Sequence, residues 1–341
     1  MIPKQTQVAV VGATGVVGRE VLAALQELGH PAERITALGS DRSEAVEVDF
    51  ADETLQVEKA TPDAFRGMNL VLLATPPDVS RQLAPAAQQA GAWVVDGSPA
   101  FRGDAQVPLV LPPFNLAALK APFKGRIVAC PSALTAALVT ALEPLRQRFG
   151  VRQVLATALL GASSAGNRGV QELETQTAGL LSGKESEAQA FPHRLAFNLI
   201  PQVGEARADS PWMGEEEALR SEARRLWGAD APEVAATALQ VPTFYGAALS
   251  LAVKLARPAS AEEAAAALKA APGVKVLDSP GERVYPMPML VTADPSVHVG
   301  RLRTVPGEPD RLLLFVAIDN AGRGAALNLV EAGEALLSRG G

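Results

Sequence analysis

Residues 7–11 (Gln-Val-Ala-Val-Val), 35–38 (Ile-Thr-Ala-Leu), 69–74 (Asn-Leu-Val-Leu-Leu-Ala), 92–95 (Ala-Trp-Val-Val) and 126–129 (Arg-Ile-Val-Ala) are short, nearly continuous apolar runs. Strands buried on both faces read this way, whereas half-exposed strands alternate. Between the first two runs, 19–28 sets Val21, Leu22 and Leu25 on one face at helical spacing. A second helix is predicted around 79–90. Strands alternating with helices imply a doubly wound parallel sheet. Beyond about residue 150 the rhythm changes. Long strands are predicted at 151–160 and 235–256, an amphipathic charged helix at 213–228, and a helix at 259–271 opened by a capping-box pattern at Ser260. A further strand is predicted at 311–318. A last helix, 323–338, is predicted to return to the first domain. The expected organisation is α/β: a nucleotide-type domain of 1–134 with 320–341, and an α+β substrate or dimerisation domain of 135–319.

The first strand runs directly into Gly12-Ala-Thr-Gly15-Val-Val-Gly18 and then a helix. In that context three glycines have separate tasks: a tight turn, backbone approach to a pyrophosphate, and close packing of helix on strand. Gly12, Thr14, Gly15, Val16 and Val17 are therefore candidate cofactor contacts in a domain of Rossmann type. After the second strand comes Ser40-Asp41-Arg42-Ser43. Arg42 with Ser40 and Ser43 suits the 2′-phosphate of NADP, while Asp41 argues for the ribose hydroxyls of NAD. NADP is the expected cofactor and NAD the alternative.

Composition narrows the function classes. Of 341 residues, 48% are hydrophobic and 20% charged, with a net charge of −6. That mild acidity, with no basic run, gives nucleic acid or an anionic membrane no electrostatic foothold. No apolar run approaches the roughly 20 residues that span a bilayer, and the N-terminus lacks a secretory pattern. A single cysteine, Cys130, and scattered His30, His193 and His298 leave no internal disulfide and no visible metal cluster. A soluble cytoplasmic protein with no metal is expected.

Several segments, in order over nearly the whole chain, resemble the aspartate-semialdehyde dehydrogenase family. They are Val8 to Gly18, Gly39-Ser-Asp-Arg-Ser43, Asp96-Gly-Ser-Pro-Ala-Phe-Arg102, Val107 to Pro112 with Asn115, Phe191 to Asn198, Val284 to Pro288, Val299-Gly-Arg301, and Asp319-Asn320 leading to Gly324-Ala-Ala-Leu-Asn328. The resemblance implies NADPH-dependent reduction of an acyl phosphate to an aldehyde through a cysteine thioester, with a histidine moving protons. It also implies a homodimer, Asn320 near the nicotinamide, and Arg102 and Glu215 as contacts to a small phosphate or carboxylate ligand.

The same comparison places alanine at both reacting positions. The family segment Ala-Asn-Pro-Asn-Cys-Ser-Thr matches Ala129-Cys-Pro-Ser-Ala-Leu-Thr135, so the nucleophile position is Ala133. Arg-Val-Pro-Val-Phe-Tyr-Gly-His matches Gln240 to Ala247, so the base position is Ala247 and the substrate arginine is Gln240. Leu160 stands for the family's glutamine, and Ala218 for its lysine. Cys130 occupies an asparagine position and is the one alternative thiol. His193 lies in the Phe-Pro-His segment and reads as structural. The chain thus looks like a divergent, Usg-type paralogue lacking the catalytic cysteine and histidine. It is expected to be a nucleotide-binding pseudoenzyme. The alternatives are an NADP-dependent oxidoreductase with altered chemistry, through Tyr245 or Arg102, and a non-enzymatic dimer partner.

Overall fold

The apolar runs become the strands of a six-stranded parallel sheet in a computed structural model that describes all residues except 44, 185–186, 207–209 and 341. The chain divides into two units, Met1–Ser132 with Ala325–Gly341, and Ala133–Gly324. In the first, β1 (Val8–Val11), α1 (Val16–Glu27) and β2 (Ile35–Gly39) are followed by a small antiparallel hairpin, β3 (Glu47–Phe50) and β4 (Glu53–Gln56). Next come β5 (Glu58–Lys59), β6 (Leu70–Leu73), α2 (Pro77–Gln89), β7 (Trp93–Asp96) and β8 (Ile127–Ala129). The strand order is β5-β2-β1-β6-β7-β8, every pair parallel. Val8 sits between Ile35 and Leu70 at the centre of the sheet. Every residue of β1 and β6 is buried, as two covered faces require. Each such Val or Leu contributes on the order of 1.5–3 kcal/mol by leaving water.

Helix α1 starts at Val16 rather than at 19, because extended Gly15 is its cap and Gly18 lies inside its first turn.

The second unit opens with α3 (Ala133–Phe149), then β9 (Val151–Leu160), α4 (Gly166–Leu181), α5 (Gly214–Trp227), β10 (Glu233–Gln240) and β11 (Ala247–Leu255). It continues through α6 (Ala261–Lys269), β12 (Val274–Val276), β13 (Val297–Val305) and β14 (Glu308–Ile318). Its mixed sheet has the order β10-β9-β11-β14-β13-β12. The predicted 235–256 strand is two strands. β10 and β11 flank β9 on opposite sides, so the chain must leave the sheet between them. Pro242 and Gly246, at φ +85°, make that exit. The first half of helix α3, Leu134 to Leu142, is buried on every side except at Thr140, and its polar positions Glu143, Arg146, Gln147 and Arg148 gather in the second half. The helix packs on β9, β11, β13 and β14. Ser260 caps α6 as its sequence predicts: its Oγ accepts from Glu263 N (3.2 Å), and its own N–H donates to the Glu263 carboxylate (2.9 Å). A last helix, α7 (Leu327–Leu337), completes the first unit, where a Cβ on Gly333 would lie 2.8 Å from Leu70.

Candidate functional site

At the C-terminal ends of β1 and β2 the first unit holds a cleft of about 850 Å³, walled by Gly12, Thr14, Gly15, Ser40, Arg42 and Thr75 among others. This is where ligands bind in open parallel sheets. The glycine turn is built by contact. Gly12 has φ +86°, and a Cβ there would lie 2.4 Å from the Ala74 carbonyl oxygen. A Cβ on Gly18 would lie 2.0 Å from the Gly12 oxygen. Gly15 differs: its Cβ would meet only the Gly12 oxygen, at 3.2 Å, so the protein itself scarcely needs a glycine there. What Gly15 keeps open is the cleft above the start of α1, whose first turn carries no side-chain cap and no acidic residue. Uncapped N–H groups at a helix start suit an anion, and a dinucleotide's pyrophosphate fits this cradle. Val16 and Val17 begin the helix, half-buried. Thr14 and Ser43 share a hydrogen bond between hydroxyls (3.1 Å), tying the glycine turn to the loop after β2. Ser40 and Arg42 are exposed on that loop.

A second polar feature closes β7. Asp96 is buried and accepts from Ser80 Oγ (2.7 Å) and Ser98 Oγ (2.8 Å). Ser80 in turn contacts Thr75 Oγ1 at 2.8 Å on the cleft wall. Arg102 donates from Nε to the Cys130 carbonyl (2.9 Å) and from Nη2 to the Gly97 carbonyl (2.6 Å). Its guanidinium is thus anchored to the ends of β7 and β8. Burial raises the Asp96 pKa above its ordinary value, outweighing the two hydroxyl bonds that lower it. A raised folded-state value means that the fold favours the protonated acid. Its contribution is fully present below about pH 4 and is lost as pH rises through the raised value. The parent protein is therefore expected to gain on its Asp96→Asn variant as pH falls from 7 toward 4, read as the difference in thermal midpoints. An equal difference across that range would contradict the assignment.

Cys130, the alternative thiol, is 1% exposed within the apolar core of the first unit, its sulfur 3.6 Å from the Asn328 carbonyl oxygen. A thiol so enclosed cannot reach a substrate in this conformation. His193 is exposed, not a packed structural histidine.

The second unit assembles the other positions singled out in the sequence. Ala133 is the first residue of α3, at the positive end of a 17-residue helix, and is half-buried. Ala247 begins β11 directly across from Leu160 at the end of β9. Two positions far apart in sequence are therefore cross-strand neighbours. Gln240, at the end of β10, is 3% exposed. Its Nε2 donates to the Leu160 and Gly161 carbonyls (2.8 and 2.7 Å), and its Oε1 accepts from Ser164 Oγ (3.1 Å). Asn320 Oδ1 accepts from Ser163 Oγ (3.0 Å) and Gly246 N (2.9 Å), so it clamps the 161–165 turn to the start of β11. Glu215 is half-buried in the first turn of α5. Its neighbour Glu216 turns inward instead, accepting from Ala238 N (3.0 Å) and Met213 N (3.0 Å). Among the described residues no group of three or more His, Cys, Asp or Glu is placed to hold a metal ion. No helix among them is long and apolar enough to cross a membrane.

Sequence reasoning missed Lys59. Its ammonium lies 2.8 Å from Asp41 on the cleft wall. The only signal was a lysine in a two-residue strand too short to recognise by pattern.

Two family models match the chain: "Semialdehyde dehydrogenase, NAD binding domain" over residues 7–121, and "Semialdehyde dehydrogenase, dimerisation domain" over 142–322. The aspartate-semialdehyde dehydrogenase of Bacillus subtilis is 36% identical over 337 residues, covering 96% of each protein. Aspartate semialdehyde dehydrogenase II of Vibrio cholerae, solved complexed with ASA, superposes with a TM-score of 0.93 at 31% identity and 98% coverage of both chains. A probable aspartate-semialdehyde dehydrogenase of Pseudomonas aeruginosa superposes with a TM-score of 0.90 at 33% identity, over 97% of this chain and 98% of that one.

Proposed function

The chain belongs to the aspartate-semialdehyde dehydrogenase family, and we propose that it is a member that holds NADP(H) but has lost the family's acyl-transfer chemistry. The observation that carries this reading is the pair of alanines at Ala133 and Ala247. The chemistry that the resemblance implies needs a thiolate to attack a carbonyl carbon and a base to move the thiol and leaving-group protons. A methyl group offers neither a lone pair nor a titratable proton. Both losses fall in the site that the resemblance implies, and the one thiol in the sequence, on Cys130, is enclosed.

Gln240 supports the same reading. At the position of the family's substrate arginine stands a neutral amide whose nitrogen and oxygen are engaged within the protein. It supplies no positive charge for a substrate carboxylate.

What remains is a holding site. Gly12 and Gly18 shape the turn, Gly15 and the start of α1 receive the pyrophosphate, and Ser40, Arg42 and Ser43 face the ribose end. A bound nicotinamide would supply hydride exchange. In the first unit Arg102 is retained as a candidate contact for a small anionic ligand; in the second, Glu215 is retained only as a candidate substrate contact, and Asn320 acts through the loop that it clamps. Self-association through the second unit is part of the proposal. β9 alternates buried and exposed residues and leaves Leu155 43% exposed on its outer face.

With NADP⁺, phosphate and aspartate semialdehyde, the purified protein is expected to form NADPH at least about 10⁴-fold more slowly than a relative with cysteine and histidine in these positions, the scale of losing nucleophile and base together. Turnover within about tenfold of such a relative would overturn the proposal.

A further inference from the structure

We propose that Lys59 is a cofactor-specificity residue, which neutralises Asp41 and, with Arg42, makes the ribose end of the cleft a site for the 2′-phosphate of NADP(H). The inference rests on the dinucleotide reading above and deepens it.

An acidic side chain after the second strand of such a sheet accepts from the ribose hydroxyls of NAD and repels a phosphate on the same ribose. Asp41 stands in that place. Its carboxylate is not left facing the cleft as a lone negative charge, because Lys59 Nζ lies 2.8 Å from Oδ1.

Backbone geometry brings the lysine there. β5 is only Glu58–Lys59, and it pairs in parallel with the end of β2 so that Lys59 is beside Gly39. The Ala60 N–H donates to the Gly39 carbonyl (2.8 Å) and fixes that register. Ser40, Asp41, Arg42, Ser43 and Lys59 then line the same cleft. The register that builds the sheet edge therefore also delivers a cation to the loop after β2.

The charge balance decides between cofactors. With Lys59 and Arg42 against Asp41, the charged cluster at the loop after β2 is net positive, and Asp78 on α2 is the cleft's one further charged wall residue; without Lys59 the cluster is neutral. A phosphate monoester carries a charge of about −1.5 to −2 near pH 7 and accepts charge-assisted hydrogen bonds from both cations. The ribose diol of NAD(H) carries no charge and gains little from Lys59. The side chains of Lys59 and Asp41 are 49% and 71% exposed, so the ion pair itself adds little to the fold. Removing it therefore tests binding rather than folding.

The experiment is a fluorescence titration of the full-length protein with NADPH and with NADH, repeated for Lys59→Gln and for Lys59→Gln/Asp41→Asn. Lys59→Gln is expected to weaken NADPH about tenfold or more and to leave NADH within about twofold. Adding Asp41→Asn is expected to recover much of the loss, because the charge that Lys59 opposed is gone. An NADPH-to-NADH affinity ratio unchanged in Lys59→Gln, or an unaltered protein that prefers NADH, would overturn the role given to Lys59 and leave the dinucleotide reading standing. Binding of neither nucleotide by the unaltered protein would overturn both.

Discussion

Ala133→Cys is expected to react with iodoacetamide near neutral pH at least about 10²-fold faster than Cys130 of the parent protein. Position 133 opens α3 and is half-buried, whereas Cys130, three residues earlier, is 1% exposed in the core. A thiol at a helix N-terminus has its pKa lowered from about 8.5, because the unpaired N–H groups stabilise the thiolate. The variant should acquire the thiol without the dehydrogenase, since Ala247 still supplies no base and Gln240 no positive charge. Mass spectrometry of the labelled peptide distinguishes the two cysteines. Equal labelling of Cys130 in the parent would mean that the core opens there, and the claim that Cys130 cannot substitute would fail.

Gly18→Ala and Gly15→Ala are expected to fail in opposite ways. At Gly18 a Cβ would stand 2.0 Å from the Gly12 oxygen and 2.9 Å from Ala13 Cα, all backbone. Relief requires α1 to move off β1. A loss of about 3 kcal/mol, from overpacking that no side chain can absorb, is expected in the urea denaturation midpoint. At Gly15 the added methyl meets one oxygen at 3.2 Å, and φ is −74°, which alanine adopts freely. Stability should change by less than about 1 kcal/mol. NADPH binding should fall by more than about tenfold, because the methyl occupies the approach to the helix N-terminus. A Gly15→Ala protein that binds NADPH as the parent does would remove the pyrophosphate from this turn.

The parallel sheet was legible because its strands are buried on both faces, so Val8–Val11 and Leu70–Leu73 are apolar without interruption. The glycine turn was legible because Gly12 and Gly18 each answer a steric demand of the backbone, with Gly15 spaced between them. Helix α3 was not, since its first half is buried nearly all round and has no polar stripe to mark its period. The break in 235–256 was hidden for a different reason. Both halves are good strand sequence, and only the passage of the chain across β9 requires the exit at Pro242 and Gly246. Among the residues that line the cleft, a local motif singled out Arg42 and Ser43. The pairing of Ala247 with Leu160 and the reach of Gln240 across to Ser164 depend on strand register, which a linear pattern does not contain. Lys59 is the sharpest case: its place beside Asp41 comes from one parallel pairing with Gly39.

We propose that the nucleotide site has outlived the chemistry. That proposal is tested most directly in one sample, with protein in excess over NADP⁺, phosphate and aspartate semialdehyde added, and absorbance at the nicotinamide band followed through a single turnover. A parallel NADPH titration on the same preparation checks that the site is competent. Saturable NADPH binding with no formation of reduced nicotinamide is expected. Reduced nicotinamide matching the NADP⁺ added, formed despite Ala133 and Ala247, would contradict the proposal.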